Sequence, residues 1–207
     1  MKPGILITVE GGEGTGKSTL VESLAAYIRK RGRDVVVVRE PGQTVLGERV
    51  RALILDQTMQ TAPMAELLLF EAARAQLMAE VVEPALAAGK VVLADRFTDS
   101  TVAYQGFGRG MGVELVARLN DAVTDARRPD LTLWLDLDPR IGIERARSRS
   151  IPDRLESEDI GFHGRVRAGF AHLAQEEPTR IRRLDATLPP DELARLAAAV
   201  VVEALDG

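Results

Sequence analysis

The stretch Ile5-Leu-Ile-Thr-Val-Glu-Gly-Gly-Glu-Gly-Thr-Gly-Lys-Ser-Thr19 constrains the fold more than any other part of the chain. An apolar run from Ile5 to Val9 reads as a buried strand. It passes directly into Gly11-x-x-x-x-Gly16-Lys17-Ser18, and then into a segment with Leu20, Leu24, Tyr27 and Ile28 at helical spacing. Strand, glycine-rich loop and helix in that order make a P-loop. Glycines at 11, 12, 14 and 16 let the backbone turn with its N–H groups inward, so a polyphosphate can sit among Gly11, Gly12, Glu13, Gly14, Thr15, Gly16 and Thr19 at the positive end of the helix. Lys17 is placed to reach the β/γ-phosphates and Ser18 to hold Mg²⁺. A glycine-rich turn that binds nothing is the plainer alternative, and the complete motif in its proper setting argues against it.

Downstream the strand–helix alternation continues. Gly32 signals a helix end, and Asp34 leads into Val35-Val-Val-Val38, the unbroken β-branched run of a strand covered on both faces. In Arg39-Glu-Pro-Gly42, Pro41 and Gly42 force a turn just past the strand's C-terminal end, where ligands collect in a parallel α/β sheet. Helices are expected over 45–56 and from Pro63 to about Val82, the second ended by Pro84 and Gly89-Lys90. Val91-Val-Leu-Ala-Asp95 is a third strand closing on an acid, the form of a Walker B element, and Asp95 can join Ser18 in a magnesium shell. Residues 98–126 read as helix, a glycine-rich break at 106–110, and helix again. Leu131 to Asp138 reads as a fourth strand, Asp138-Pro139 as the start of a helix reaching about Arg147, Arg180 to Leu184 as a fifth strand, and Asp191 to Leu205 as a closing helix. The expected architecture is α/β: a P-loop NTPase fold, doubly wound, with a five-stranded parallel sheet, helices on both faces and an arginine-rich lid at about 147–156, in one domain over 1–207.

Charge and composition narrow the function. With 27 Lys+Arg against 31 Asp+Glu the net charge is −4, so no global basic field recruits nucleic acid or an anionic membrane. Phosphate binding must be local. The absence of cysteine excludes disulfides and thiolate metal sites and is compatible with a reducing cytoplasm. No apolar run approaches the roughly 18 residues of a membrane span, and Met1-Lys-Pro-Gly4 lacks a signal-peptide pattern. A cytoplasmic enzyme is the expectation. His163 and His172 have no metal-ligand spacing and read as surface or helix-packing residues, and Trp134 reads as core.

The residues just after the third strand set the class of P-loop protein. A GTPase would carry Asp-x-x-Gly there and Asn-Lys-x-Asp later; this chain has Asp95-Arg96-Phe97-Thr98 and no Asn-Lys pair. Asp-Arg at a strand end sets a metal-shell carboxylate beside a bidentate phosphate clamp, which suggests a phosphate acceptor. Arg145, Arg147, Arg149 and Arg154 then put four guanidinium groups across a helix end and Pro152, which a helix does not pass. An arginine brought over a transferring phosphoryl group is worth about 10³–10⁵ in rate. A solvated basic face pairing with Glu144, Asp153 and Glu156 would account for one or two of them, but poorly for all four.

In their order and spacing, Gly11 to Thr19, Arg39-Glu-Pro-Gly42, Leu69-Phe-Glu-Ala-Ala-Arg74, Asp95-Arg96, Ser100-Thr-Val-Ala-Tyr-Gln105 and the arginine-rich segment resemble thymidylate kinases of the bacterial type, over nearly the whole chain. The P-loop is shared by many families; the other motifs together are far more selective. The resemblance implies in-line transfer of the γ-phosphoryl of ATP, with Mg²⁺, to dTMP. It implies that Phe70 stacks on thymine, that Arg74 bonds the base edge, that Thr101 meets N3 and that Tyr104 crowds the sugar 2′ position, with Pro41, Ser100 and Gln105 completing the acceptor pocket. Arg39 and Arg96 would clamp the acceptor phosphate, and Glu13 would face the 3′-hydroxyl or a metal-bound water. In the family's other branch a basic residue follows the P-loop acid. Gly14 stands there in this chain, which leaves that charge to Arg147, Arg149 and Arg154. Asp185-Ala-Thr187 resembles the loop bordering adenine, and the family suggests a homodimer through the helices around 45–82. Two positions depart from the pattern: Gln43 replaces the second glycine of Arg-Glu-Pro-Gly-Gly, at a place that calls for positive φ, and Ile151-Pro152 makes the lid more apolar and stiffer. Phosphorylation of another monophosphate, dUMP in particular, and a nucleotide-driven regulatory switch are the alternatives.

Overall fold

The computed structural model describes residues 4–148 and 152–206. Among them five strands, β1 (Ile5–Gly11), β2 (Val35–Arg39), β3 (Val91–Asp95), β4 (Leu131–Asp136) and β5 (Ile181–Asp185), pair in parallel in the order β2-β3-β1-β4-β5. The registers Val9↔Asp95 and Gly11↔Leu135 bring the C-terminal ends of the three central strands level with one another. From β1 the chain runs out to the β2 edge and back to β3, and from β3 it crosses β1 to β4 and on to β5, so the connections leave β1 and β4 in opposite senses. The crevice where ligands bind in such sheets therefore opens directly above the P-loop.

Strand alternation splits the core into two faces. Ile7, Val9, Val91, Leu93, Leu131, Leu133 and Leu135 pack under helices α1 (Lys17–Lys30) and α9 (Pro190–Asp206). Leu6, Val38, Val92 and Ala94 face the opposite way, onto Leu77, Met78 and Val82. The end of helix α3 (Pro63–Leu77) and the short α4 (Glu83–Ala87) cover this second side; α2 (Val45–Leu55) packs on α3, and α5 (Thr98–Thr101) and α6 (Val113–Thr124) follow β3. Helix α7 (Pro139–Arg147) comes after β4, capped by the Asp138 carboxylate on the Arg140 N–H at 2.9 Å. No helix of the described residues is long and apolar enough to cross a membrane.

Three features differ from the sequence expectation. Pro84 does not end its helix: α3 runs through one wide π turn, Met78–Val82, into α4, and the chain breaks at Gly89, where φ is 73°. The wider turn relieves the clash between the proline ring and the preceding carbonyls. Likewise α5 continues as a π segment, Val102–Gly108, so the break falls at Gly110 and Gly112, both at positive φ. Finally, helix α8 (Ile160–Glu176) was not anticipated. Its signals are present in the sequence: Asp159 caps it by accepting the Phe162 N–H at 2.8 Å, and Phe162, Val166 and Phe170 recur every four residues, buried against Trp134 and Ile181.

Candidate active site

A cavity of about 310 Å³ opens at the C-terminal edge of the sheet. One end is the P-loop. Gly16 sits at φ 91°, where the loop turns into the N-terminus of α1, the kind of helix start that receives phosphate oxygens, and Glu13 to Thr19 line the cavity there. Lys17 Nζ reaches back to the carbonyls of Gly12 (2.7 Å) and Gly11 (3.2 Å). Burial, helped by repulsion from Arg96, lowers its ammonium to about 8, with Glu13, Asp95 and Glu10 working the other way. Ser18 Oγ donates to Asp95 Oδ2 at 2.8 Å. A hydroxyl and a carboxylate so joined at the phosphate site are hard oxygen donors suited to Mg²⁺, which takes few protein ligands and fills its shell with phosphate and water. No group of three or more His, Cys, Asp or Glu with metal-binding geometry occurs among the described residues.

Glu13 occupies the centre. Its Oε1 accepts from Arg96 Nη2 at 2.9 Å and from the Tyr104 hydroxyl at 2.5 Å. Burial pushes this carboxyl up, but Arg96, Lys17 and Tyr104 outweigh it and bring it down to about 2. Arg96 also donates to the Gly11 carbonyl (2.9 Å) and to Ser100 Oγ (3.1 Å), lies over the Tyr104 ring at 5.0 Å, and has a left-handed backbone with φ 72°. Ser100 in turn donates to the fully buried Glu10 at 2.5 Å. Burial and the Asp99 charge raise the Glu10 carboxyl to about 8 against the pull of Ser100, Arg96 and the Phe97 N–H.

The far end is built on α3 and the π segment. Phe70 is half-buried with its neighbours in a cluster formed by Val50, Ile54, Ala73 and Leu155. Arg74 is 1 % exposed and all five of its N–H groups have protein acceptors: two on Glu40 (2.9 and 2.6 Å), two shared between Glu71 and Asn120 (3.0 and 2.7 Å), and one on Thr101 Oγ1 (2.8 Å). Arg39 and Arg51 stand at the side, Arg39 against Glu48 at 3.2 Å and Arg51 against the Pro41 carbonyl at 3.0 Å. Two sets of phosphate-seeking groups thus share one enclosure with an aromatic ring. That arrangement has room and matching charge for a phosphorylated ligand at each end.

The sequence pattern described as Thymidylate kinase matches residues 9–196. The chain is 51 % identical to a thymidylate kinase of Deinococcus radiodurans over 201 residues, 97 % of this chain and 98 % of that one. It is 52 % identical to one of Desulfovibrio desulfuricans over 197 residues, 91 % of each. A crystal structure of thymidylate kinase from Ehrlichia chaffeensis superposes with a TM-score of 0.79 at 33 % identity, covering 97 % of this chain and 99 % of that one. The chain belongs to the thymidylate kinase family.

Against that family's motifs, the placement of the expected residues is uneven. Glu13, Gly14, Thr15, Gly16, Lys17, Ser18, Thr19, Arg39, Pro41, Phe70, Arg74, Asp95, Arg96, Ser100, Thr101, Tyr104 and Gln105 all line the one cavity. Gly11 and Gly12 lie behind the loop, their carbonyls bonded to Lys17. The arginine-rich segment does not converge. Arg147 is exposed at the end of α7 and off the cavity wall, and Arg149 and Ile151 lie outside the described residues. Arg154 turns away: its Nε donates to the Ile54 carbonyl at 2.9 Å and its Nη2 pairs with Glu66 at 2.7 Å, so it is an anchor in this arrangement rather than a phosphate ligand. Arg145 is bonded to the Ala186 carbonyl at 3.1 Å, tying α7 to the loop at Asp185–Thr187. Sequence reasoning passed over Arg51, Asp153 and Glu156 as members of the cavity wall. The signal for Arg51 was its place on the cavity-facing side of α2, one turn beyond Gly47, where Thr44 caps the helix at 2.9 Å. His163 is buried on α8 as a packing residue, with Nε2 lacking a partner among the described residues, and His172 is exposed beside Phe107.

Proposed function

We propose that the chain transfers the γ-phosphoryl group of ATP to the 5′-phosphate of dTMP, giving ADP and dTDP. The observation that carries this is the single cavity in which a P-loop with its Ser18–Asp95 pair faces Arg39, Arg51, Arg96 and Phe70. In the reaction Lys17 leaves the loop carbonyls for the β/γ-phosphates, and the P-loop N–H groups hold the donor. Ser18 and Asp95 would hold Mg²⁺, which when bound supplies charge neutralisation at the donor phosphates. Arg96, Arg39 and Arg51 receive the acceptor phosphate, Phe70 stacks on the base, and Tyr104 fills the space beside the deoxyribose. Glu13 is ionised at every working pH, fixes Arg96 and Tyr104 in place, and faces the sugar 3′-hydroxyl. Arg74 has no spare N–H, so it reaches the base edge through a shared hydrogen bond or by holding Thr101 at N3. The acceptor is already a phosphate, so no strong general base is required; catalysis is positioning and electrostatics.

Of the lid arginines, Arg149 is the proposed transition-state charge, since Arg154 is bound to Glu66. Replacing Arg149 by Ala should lower kcat at least about tenfold with little change in the dTMP KM; a pure KM effect would make it a binding residue. We further propose a cytoplasmic homodimer, supported by the apolar side chains left exposed on α2 and α3. The deciding experiment is ADP release from Mg·ATP with dTMP, dUMP, UMP, CMP, AMP or GMP, beside a control without acceptor. Turnover confined mainly to dTMP is expected. Turnover with another monophosphate would overturn the roles of Phe70, Arg74 and Tyr104, and hydrolysis without acceptor stimulation would favour a nucleotide-driven switch.

A further inference from the structure

Glu66 on α3 is 1 % exposed and takes no part in the chemistry above, yet two guanidinium groups from different parts of the chain converge on it. Arg109 grips it with a fork, Nε to Oε1 at 3.1 Å and Nη2 to Oε2 at 3.0 Å. Gln105, on the cavity wall, donates to Oε1 at 2.9 Å. Arg154 pairs with Oε2 at 2.7 Å, and Arg109 extends its other nitrogen to Glu158 at 2.6 Å. Arg154 and Glu158 belong to the turn between α7 and α8 that also supplies Asp153, Leu155 and Glu156 to the cavity. Leu155 is buried against Val50, Ile54 and Ala73, and Arg154 Nε holds the end of α2.

One buried carboxylate thus joins three things: the helix bearing Phe70, the wall residue next to Tyr104, and the turn that closes the cavity. Burial works against the ionised form, but the three N–H donors and the two guanidinium charges outweigh it and hold the carboxyl below its ordinary range, so the hub is charged. We propose that Glu66 and Arg154 form a latch, positioning residues that hold the 152–158 turn over the cavity so that the γ-phosphoryl group passes to dTMP and not to water. The inference rests on the kinase reading. Its chemistry is a choice between two acceptors of the same group: with the turn seated, the bond to ADP breaks as a bond to the dTMP phosphate oxygen forms; with the turn loose, a water oxygen takes the phosphoryl group and inorganic phosphate leaves.

The test is to measure ADP and dTDP separately with Mg·ATP and dTMP, for the intact chain and for Glu66→Gln, Arg154→Met and Arg154→Lys. The unaltered protein should form the two products in equal amounts. Glu66→Gln and Arg154→Met should lower dTDP formation about tenfold or more and raise the ratio of ADP to dTDP above one. Arg154→Lys keeps a cation for Glu66 and should bring the ratio most of the way back. Arg154→Met changes a half-buried residue and carries the test if Glu66→Gln fails to fold. Slower variants that still form equal amounts of ADP and dTDP would reduce the cluster to a structural role and overturn the latch. Failure of the unaltered protein to make dTDP would instead sink the kinase reading, and the latch with it.

Discussion

A carboxylate inside a phosphate-binding loop opposes the ligand unless something else makes use of it. Glu13 was conspicuous in the sequence for that reason. Its partners were not, because Arg96 and Tyr104 lie 83 and 91 residues away and only the fold brings them to its Oε1. Removing it frees two donors that then lack a charged acceptor in a largely buried site, a loss of about 1.5–3 kcal/mol for each charge-assisted bond. Glu13→Ala should therefore cut kcat with dTMP by about 10²-fold or more and leave the ATP KM within a few-fold, as steady-state kinetics against each substrate will report. Unchanged turnover would remove Glu13 from the mechanism. Lys17 supplies a second test at this scale. Its ammonium is lowered to about 8, so the free protein loses that charge as pH rises through 8, whereas bound ATP, an anion, favours the charged form. The pH profile of kcat/KM for ATP should fall on its alkaline side with an apparent pKa near 8, while kcat at saturating ATP stays level further into base. A profile flat to the ordinary lysine range would show that burial does not govern this group. Arg74 marks the limit of reading from spacing alone: its helical position beside Phe70 was legible, but its commitment to Glu40, Glu71, Asn120 and Thr101 depends on elements far apart in the chain.

Elements were legible where one period and one boundary signal agreed. Strands β1 to β4 could be read from apolar runs that end in turn or acid residues, and α7 from Asp138-Pro139; β5, with Arg182 and Arg183 inside it, lacks such a run and begins and ends one residue later than the expected Arg180 to Leu184. The two π segments were not foreseen, since a wide turn leaves no period in the sequence; each appears where a helix must pass an obstacle, Pro84 in one case and the cavity wall in the other. Gln43 shows tertiary context overriding local preference: it keeps the left-handed turn at φ 71°, its N–H received by Glu48 at 2.7 Å. The π segment at 102–108 explains α8, its main packing partner. A Cβ on Gly108 would come within 2.7 Å of Phe162 and 3.0 Å of Val166, and one on Gly169 within 3.0 Å of the Ala103 backbone. The two elements pack closely because both contribute glycine at the contact. Gly108→Ala should accordingly destabilise by about 1–3 kcal/mol through overpacking and lower the thermal midpoint by a few degrees, measured by calorimetry. A larger residue accepted without loss would mean that α8 moves freely against the segment carrying Tyr104, contrary to the packing described.

At the scale of the molecule, the parallel order β2-β3-β1-β4-β5 explains why residues scattered from Glu13 to Glu156 meet at all: the turns after β1, β2 and β3 lie at the same edge of the sheet, and α3, the π segment at 102–108 and the turn before α8 lean over it. The sequence reading reached the common edge but not the strand order, because parallel strands share one direction, so every strand end rich in Gly, Asp or Arg had to fall on the same side. It was not sufficient for the surface away from the cavity, where exposure rather than motif carries the information. There Leu46 and Leu53, seven residues apart on α2, and Met64 and Leu68, four apart on α3, form two stripes of large apolar side chains open to solvent, with Val45 77 % exposed beside them. The helices packed beneath them are satisfied by Val50, Ile54 and Ala73, so the stripes contribute nothing to the monomer's own core. A second copy presenting the same face would cover both stripes about a two-fold axis, and a self-complementary patch is what such an interface requires. Light scattering should therefore give the mass of two chains at micromolar concentration, and Leu53→Glu with Leu68→Glu should give one, because opposed carboxylates in an apolar contact repel and lose their water. The doubly altered chain should keep its fold by circular dichroism, since both positions face solvent in the single chain. If the unaltered protein already runs as a monomer across that range, the exposed stripes have some other partner and the dimer reading falls, whereas the cavity, built wholly from one chain, is unaffected.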